Sequence, residues 1–101
     1  MTNRAPENFQ CAVDDWRPAA PLSALQARAQ LYQHIRAFFH ERAVLEVETP
    51  QLAHFGVTDL HIDCMPVPRY GWLQSSPEYH MKRLLAAGVG SLWQLCKSYR
   101  Q

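Results

Sequence analysis

No run of apolar residues in this sequence approaches the roughly 20 that a membrane-spanning helix needs. The first ten residues, Met1 to Gln10, are polar and hold no apolar stretch of the secretory kind, so they do not read as a signal peptide. Cysteine is sparse: Cys11, Cys64 and Cys96 are odd in number and scattered, which fits reduced thiols in a cytoplasmic protein better than a disulfide framework. There are only four glycines, and none forms a Gly-rich phosphate loop of the Walker or Rossmann kind. No basic tract is present and the formal charge is +1, so net charge gives no argument for nucleic-acid binding. His61 and Cys64 have a ligand-like spacing, but no second pair accompanies them, so no metal site is expected there.

What remains is an ordinary globular composition, with 48% hydrophobic and 19% charged residues in 101. At that length the chain holds at most one small domain. Residues 1–22 read as an irregular leader punctuated by Pro6, Pro18 and Pro21. Ser23 and Gln26 then have the spacing of a capping box. Leu25, Ala29, Tyr32, Ile35 and Phe39 recur at helical spacing, widened by Leu31 and Phe38, and predict an amphipathic helix ending near Arg42. Residues 44–49 alternate as a short strand that Pro50 ends.

Further short strands are expected over Leu60–Cys64 and Tyr70–Gln74, with Trp72 and Gln74 on one face of the latter. Ser76 is a good N-cap, Pro77 suits the first helical position and Glu78 suits the positive end of the dipole. Met81, Leu84 and Leu85 give that second helix its apolar stripe, and Gly88 and Gly90 end it. Ser91 to Arg100 reads as a last strand, and a hairpin partner for it is expected outside the chain. The pattern is α+β.

Three segments in this order resemble the class II aminoacyl-tRNA synthetases of the lysine type. Phe38 to Pro50, with the helix before it, resembles motif 1, whose helix, strand and proline build the family's dimer interface. Ser75-Ser76-Pro77-Glu78-Tyr79-His80-Met81-Lys82-Arg83-Leu84 resembles the loop and helix that bind the amino acid, and Leu95-Cys96-Lys97-Ser98-Tyr99-Arg100 resembles the first strand of motif 2. The resemblance covers residues 23–101 and implies part of an antiparallel-sheet catalytic domain that breaks off within motif 2. Only 22 residues precede the first helix, too few for the anticodon-binding domain of a lysyl-tRNA synthetase. The wording of the second segment is similar to the stand-alone elongation factor P lysyltransferases.

That resemblance implies a ligase that activates lysine or β-lysine with ATP and Mg2+ and transfers it to elongation factor P, with tRNA not the acceptor. It implies a cytoplasmic homodimer built through Phe38, Phe39 and Pro50. Ser76, Pro77 and Glu78 would line the amino-acid pocket, with Glu78 accepting hydrogen bonds from the substrate ammonium. Arg100 would hold the α-phosphate with its planar donor fork, beside Gln101, where relatives often carry Asn. The acidic residue that reads adenine, the magnesium carboxylates and motif 3 are expected outside these 101 residues, so the isolated segment is expected to be inactive.

Each of these residues also has a plainer role open to it: Ser76 as a helix cap, Glu78 as a dipole partner, Arg100 as a solvated cation. Lys82 and Arg83 read as a solvated helix face, and Trp72 and Trp93 as core. Two other readings stay open for the whole: a piece of a lysyl-tRNA synthetase acting on tRNA, and a non-enzymatic module that binds a partner through Leu31, Ile35 and Phe38.

Overall fold

The computed structural model describes residues 16–58 and 63–101. The cysteine at 11, most of the leader, and Leu60 to Ile62 of one expected strand lie outside the described residues. Two helices, α1 (Leu22–Glu41) and α2 (Glu78–Ala86), accompany five short strands: β1 (Leu45–Glu46), β2 (Leu52–Ala53), β3 (Met65–Val67), β4 (Gly71–Leu73) and β5 (Leu92–Trp93). The mixture is α+β.

Helix α1 forms where its periodicity predicts it, with one difference at its start. Pro21, extended at φ −71° and ψ 157°, is the N-cap, and no side chain caps the first turn. Proline is tolerated there because the helix's first amides are unpaired in any case. Ser23 therefore lies inside the helix, and the expected capping box with Gln26 does not form. The end is a Schellman motif: Val44 N–H donates to Phe39 O and Ala43 N–H to His40 O, both at 3.1 Å. Ala43 takes the left-handed conformation that this motif requires, at φ 55°.

Only one side of α1 is covered, by Tyr32, Ile35 and Phe39 at half burial. The Phe39 ring stacks on Trp93, centroids 4.5 Å apart and planes 18° apart, which fixes the helix on β5. Leu25, Leu31 and Phe38 are exposed. The apolar core among the described residues is correspondingly small, with Val57 and Trp93 its buried members, each still 7–8% exposed.

The strand expected over 44–49 shrinks to two ladder residues, and its partner was not foreseen. β1 pairs in parallel with β5, Leu45 opposite Leu92 and Glu46 opposite Trp93. Of the strand expected over Ser91–Arg100, Leu92 and Trp93 form a ladder, and they pair in parallel with a segment already in the chain. The two segments stay side by side beyond the ladder. Gln94 clamps Thr49, its Oε1 accepting the Thr49 N–H at 2.9 Å while its Nε2 donates to Thr49 Oγ1 at 2.9 Å. Further on, the Tyr99 hydroxyl donates to Gln51 Oε1 at 2.9 Å.

The second sheet is antiparallel, in the order β2-β4-β3. β3 and β4 are joined by a tight turn closed by Tyr70 N–H to Val67 O at 3.1 Å, with Pro68 and Arg69 at its centre. Proline presets the first central position, and Arg69 takes φ 74° at the second, the signature of a type II turn. β4 falls within the expected Tyr70–Gln74 segment. Of the strand expected over Leu60–Cys64, the described residues Asp63 and Cys64 carry no strand, and β3 follows them at Met65–Val67.

Candidate active site

The loop leaving β4 sets up the N-terminus of α2. Ser76 Oγ accepts the Glu78 N–H at 3.2 Å, the bond of an N-cap to the second helical residue. Pro77 sits between them at φ −79° and ψ 1°, so the sequence-based assignment of cap and first position describes this helix start, with the formal boundary one residue later. At the far end Gly88, at φ 90°, closes another Schellman motif, with Val89 N–H to Leu84 O at 3.2 Å and Gly88 N–H to Leu85 O at 3.0 Å.

Ser76, Pro77 and Glu78 open together onto a groove of about 440 Å³ whose wall is continued by Met81, Lys82, Leu85 and Leu92. The apolar wall comes from the face of α2 that repeats every third or fourth residue from Glu78. The Glu78 carboxylate is 60% exposed and pairs with Lys82 through Oε1 at 2.9 Å. Lys82 is held protonated above its ordinary value of 10.5, first by the hydrogen bond to Glu78 and then by that carboxylate's charge. The second carboxylate oxygen of Glu78 is free of any ion pair among the described residues.

The opposite face of α2 is docked on the turn after β2. The buried His80 ring lies 5.4 Å from the Phe55 ring, and the Arg83 guanidinium lies 5.0 Å from the same ring. Tyr79 Oη and Thr58 Oγ1 share a hydrogen bond of 2.7 Å. Lys82 and Arg83 are both exposed helix residues, and the Arg83 guanidinium also lies over an aromatic face.

Arg100 and Gln101 line a different part of the surface from the groove. Both are exposed, and Arg100 has no carboxylate partner among the described residues. Its backbone is nevertheless held on both sides. Tyr99 N–H donates to Gln74 O at 3.0 Å, and Gln101 N–H donates to Asp63 O at 3.1 Å. Gln74 is the residue at which β4 gives way to the Ser75–Glu78 loop. The segment carrying Arg100 is therefore hydrogen-bonded to the segment that leads into Glu78, while the two side chains share no contact.

Of the residues assigned to an interface, Phe38 and Pro50 are exposed, and the Arg42 guanidinium covers the Phe38 ring at 3.6 Å. Phe39 faces inward onto Trp93. Among the described residues no cluster of three or more His, Cys, Asp or Glu is placed to hold a metal ion, and no helix is long and apolar enough to cross a membrane.

Sequence reasoning missed Gln51, Gln74, Gln94 and Tyr99 as organisers of this region. Gln74 had left one signal: a polar residue on the same strand face as Trp72. Gln74, Ser75 and His80 also carry buried polar atoms without a partner in the structure, namely Oε1, Oγ and Nε2. All three flank the Ser76–Glu78 loop.

Residues 8–101 match the family of class II tRNA synthetases for Asp, Lys and Asn, and the chain belongs to that family. Within it, the chain is similar to the elongation factor P–(R)-β-lysine ligase of Histophilus somni (strain 2336), 50% identical over 96 residues, covering 86% of this chain and 30% of that relative. The ligase of the same name from Mannheimia succiniciproducens is 49% identical over 94 residues, covering 84% and 29% respectively. That from Haemophilus influenzae (strain PittGG) is 48% identical over 98 residues, covering 88% and 30%. The chain thus spans about 30% of the length of the curated relatives it matches.

Proposed function

We propose that this chain supplies motif 1, the amino-acid loop and the opening of motif 2 of an ATP-dependent ligase that modifies elongation factor P with (R)-β-lysine or lysine. The names of its relatives supply the substrates, and (R)-β-lysine is the form they print. The observation that carries the reading is the pair of backbone bonds flanking Arg100, from Tyr99 N–H to Gln74 O at the base of the loop that presents Glu78 and from Gln101 N–H to Asp63 O.

In this reading the free oxygen of Glu78 accepts a hydrogen bond from the substrate ammonium while Lys82 keeps the other. Ser76 and Pro77 frame the same groove. The guanidinium of Arg100, exposed and without an ion-pair partner among the described residues, suits the α-phosphate of ATP, because its fork matches two phosphate oxygens. Gln101 lies beside it. A substrate carboxylate oxygen then forms a bond to the α-phosphorus as the bond to the departing pyrophosphate breaks. Arg100 stabilises the charge that develops on the phosphate oxygens. A lysine amine of elongation factor P next attacks the acyl carbon and releases AMP. Mg2+ would neutralise the phosphates in that reaction, and no residue of this chain is assigned to it. The working protein is a cytoplasmic homodimer with Phe38 and Pro50 at its interface and Phe39 supporting them from within.

The test is amino-acid-dependent exchange of labelled pyrophosphate into ATP, by a polypeptide that carries this segment at the length of the relatives. Exchange should depend on (R)-β-lysine or lysine, and the label should pass to elongation factor P and not to tRNA. Absence of exchange with either amino acid, or transfer to tRNA alone, would overturn the proposal. The 101-residue segment by itself is expected to show no exchange.

A further inference from the structure

Three residues distant in sequence, Gln51, Gln74 and Tyr99, are hydrogen-bonded pairwise into a closed triangle. Gln74 N–H donates to Gln51 O at 2.8 Å, and Tyr99 N–H donates to Gln74 O at 3.0 Å. The third side is the Tyr99 hydroxyl on Gln51 Oε1 at 2.9 Å. Gln74 is only 3% exposed, and its Nε2 donates to Phe55 O at 2.8 Å and to Trp72 O at 3.2 Å. A buried primary amide is a costly way to fill space, because each polar atom must find a partner. Here the amide does find partners for its donors, and it uses them to tie the turn at Phe55 to the end of β4.

The corners of the triangle have neighbours of consequence. Gln74 stands four residues before Glu78, Tyr99 directly precedes Arg100, and Gln51 directly follows Pro50. Two of the three sides are backbone bonds that bring the strands together. The third is a side-chain bond that restrains the Tyr99 ring, and with it the segment that carries Arg100. None of the three residues lines the groove at Glu78.

We propose that Gln51, Gln74 and Tyr99 are positioning residues that set Arg100 relative to the Glu78 loop, so that a carboxylate bound by one meets a phosphate held by the other. The proposal rests on the reading of Glu78 and Arg100 given above. In-line attack demands reacting atoms about 3–3.5 Å apart, and a displacement of about 1 Å costs orders of magnitude in rate. The triangle acts on geometry in the transition state, so its loss falls on kcat and leaves the KM for the amino acid unchanged.

Tyr99→Phe and Gln51→Met each remove the side-chain bond while keeping bulk, and neither touches the proposed ligands. In a polypeptide of the relatives' length, each variant should lower kcat for amino-acid-dependent pyrophosphate exchange about three- to tenfold, the range expected for one hydrogen bond. The KM for the amino acid should stay at the parental value. The double variant should be no slower than either single one, because one bond is lost in all three. A merely structural bond would lower the unfolding temperature and leave kcat, measured well below that temperature, unchanged. Parental kcat in both single variants, or additive losses in the double, overturns the positioning role while leaving the site assignment standing. No exchange by the parental polypeptide overturns the site assignment, and the positioning role with it.

Discussion

Gly71→Ala should break the three-stranded sheet, and the structure says by how much. Gly71 opens β4 at φ 136°, a conformation that L side chains rarely adopt. A Cβ built there would stand 2.1 Å from Ala53 O and 2.9 Å from Ala53 C. These are backbone atoms of β2, which is paired to β4 through Ala53 and Trp72. Relief requires β2 to move outward by about 1 Å, at the expense of ladder bonds worth about 1 kcal/mol each. The Gln74-to-Gln51 bond at 2.8 Å belongs to the same pairing. Adding about 1–2 kcal/mol for the backbone conformation gives a loss of roughly 3–5 kcal/mol. Gly88→Ala is the control. Gly88 also has positive φ, at 90°, but an added Cβ would meet nothing within 4 Å. Only the conformational cost applies, about 1 kcal/mol. Unfolding of both variants and the parent can be followed by tryptophan fluorescence, since Trp72 and Trp93 report the two sheets. A loss of 3–5 kcal/mol would consume much of the roughly 5–15 kcal/mol by which domains are stable. Equal losses in the two variants, or a Gly71→Ala protein within about 1 kcal/mol of the parent, would refute the argument from close approach.

Other perturbations follow from the same geometry. Ala43→Gly, at φ 55° in the Schellman motif ending α1, should stabilise the fold by about 0.5–1 kcal/mol, read as a higher denaturant midpoint. The contribution of the Lys82 pair to stability should be constant through neutral pH. The folded-state value of Lys82 is raised, so the contribution is fully present below 10.5 and is lost only as pH rises through the raised value. Unfolding midpoints of the parent and Lys82→Met should therefore differ by a fixed amount at neutral pH and converge in strong alkali. Glu78→Gln should leave stability nearly unchanged, because its pair with Lys82 is exposed. It should lower kcat/KM for the amino acid about 10- to 100-fold in the exchange assay, the value of a charge-assisted hydrogen bond. Arg100→Lys keeps the charge but loses the two-pronged geometry, so it should raise the KM for ATP or lower kcat, and a normal ATP dependence would remove Arg100 from the phosphate site.

The sequence by itself determined the two helices and how the second one starts. Apolar spacing at Tyr32, Ile35 and Phe39 marks the covered side of α1, and the Ser76-Pro77-Glu78 order specifies a capped helix start that presents a carboxylate. These are local effects, governed by residues three or four apart and by the caps at each end, and they could be read without knowing what lay across the fold. Motif wording in the same segments pointed to the synthetase family. The tertiary structure alone decided what each strand faces. Strands of two or three residues hold too few positions to specify a register, so β1 could not announce its parallel partner in β5, nor β3 its place at Met65–Val67. Nor could composition show that Gln51, Gln74 and Tyr99 meet, because those contacts join chain positions that only the folded sheets bring together. Even at α1, Pro21 displaced Ser23 from the cap, since the helix began one residue before the hydroxyl that local spacing had favoured.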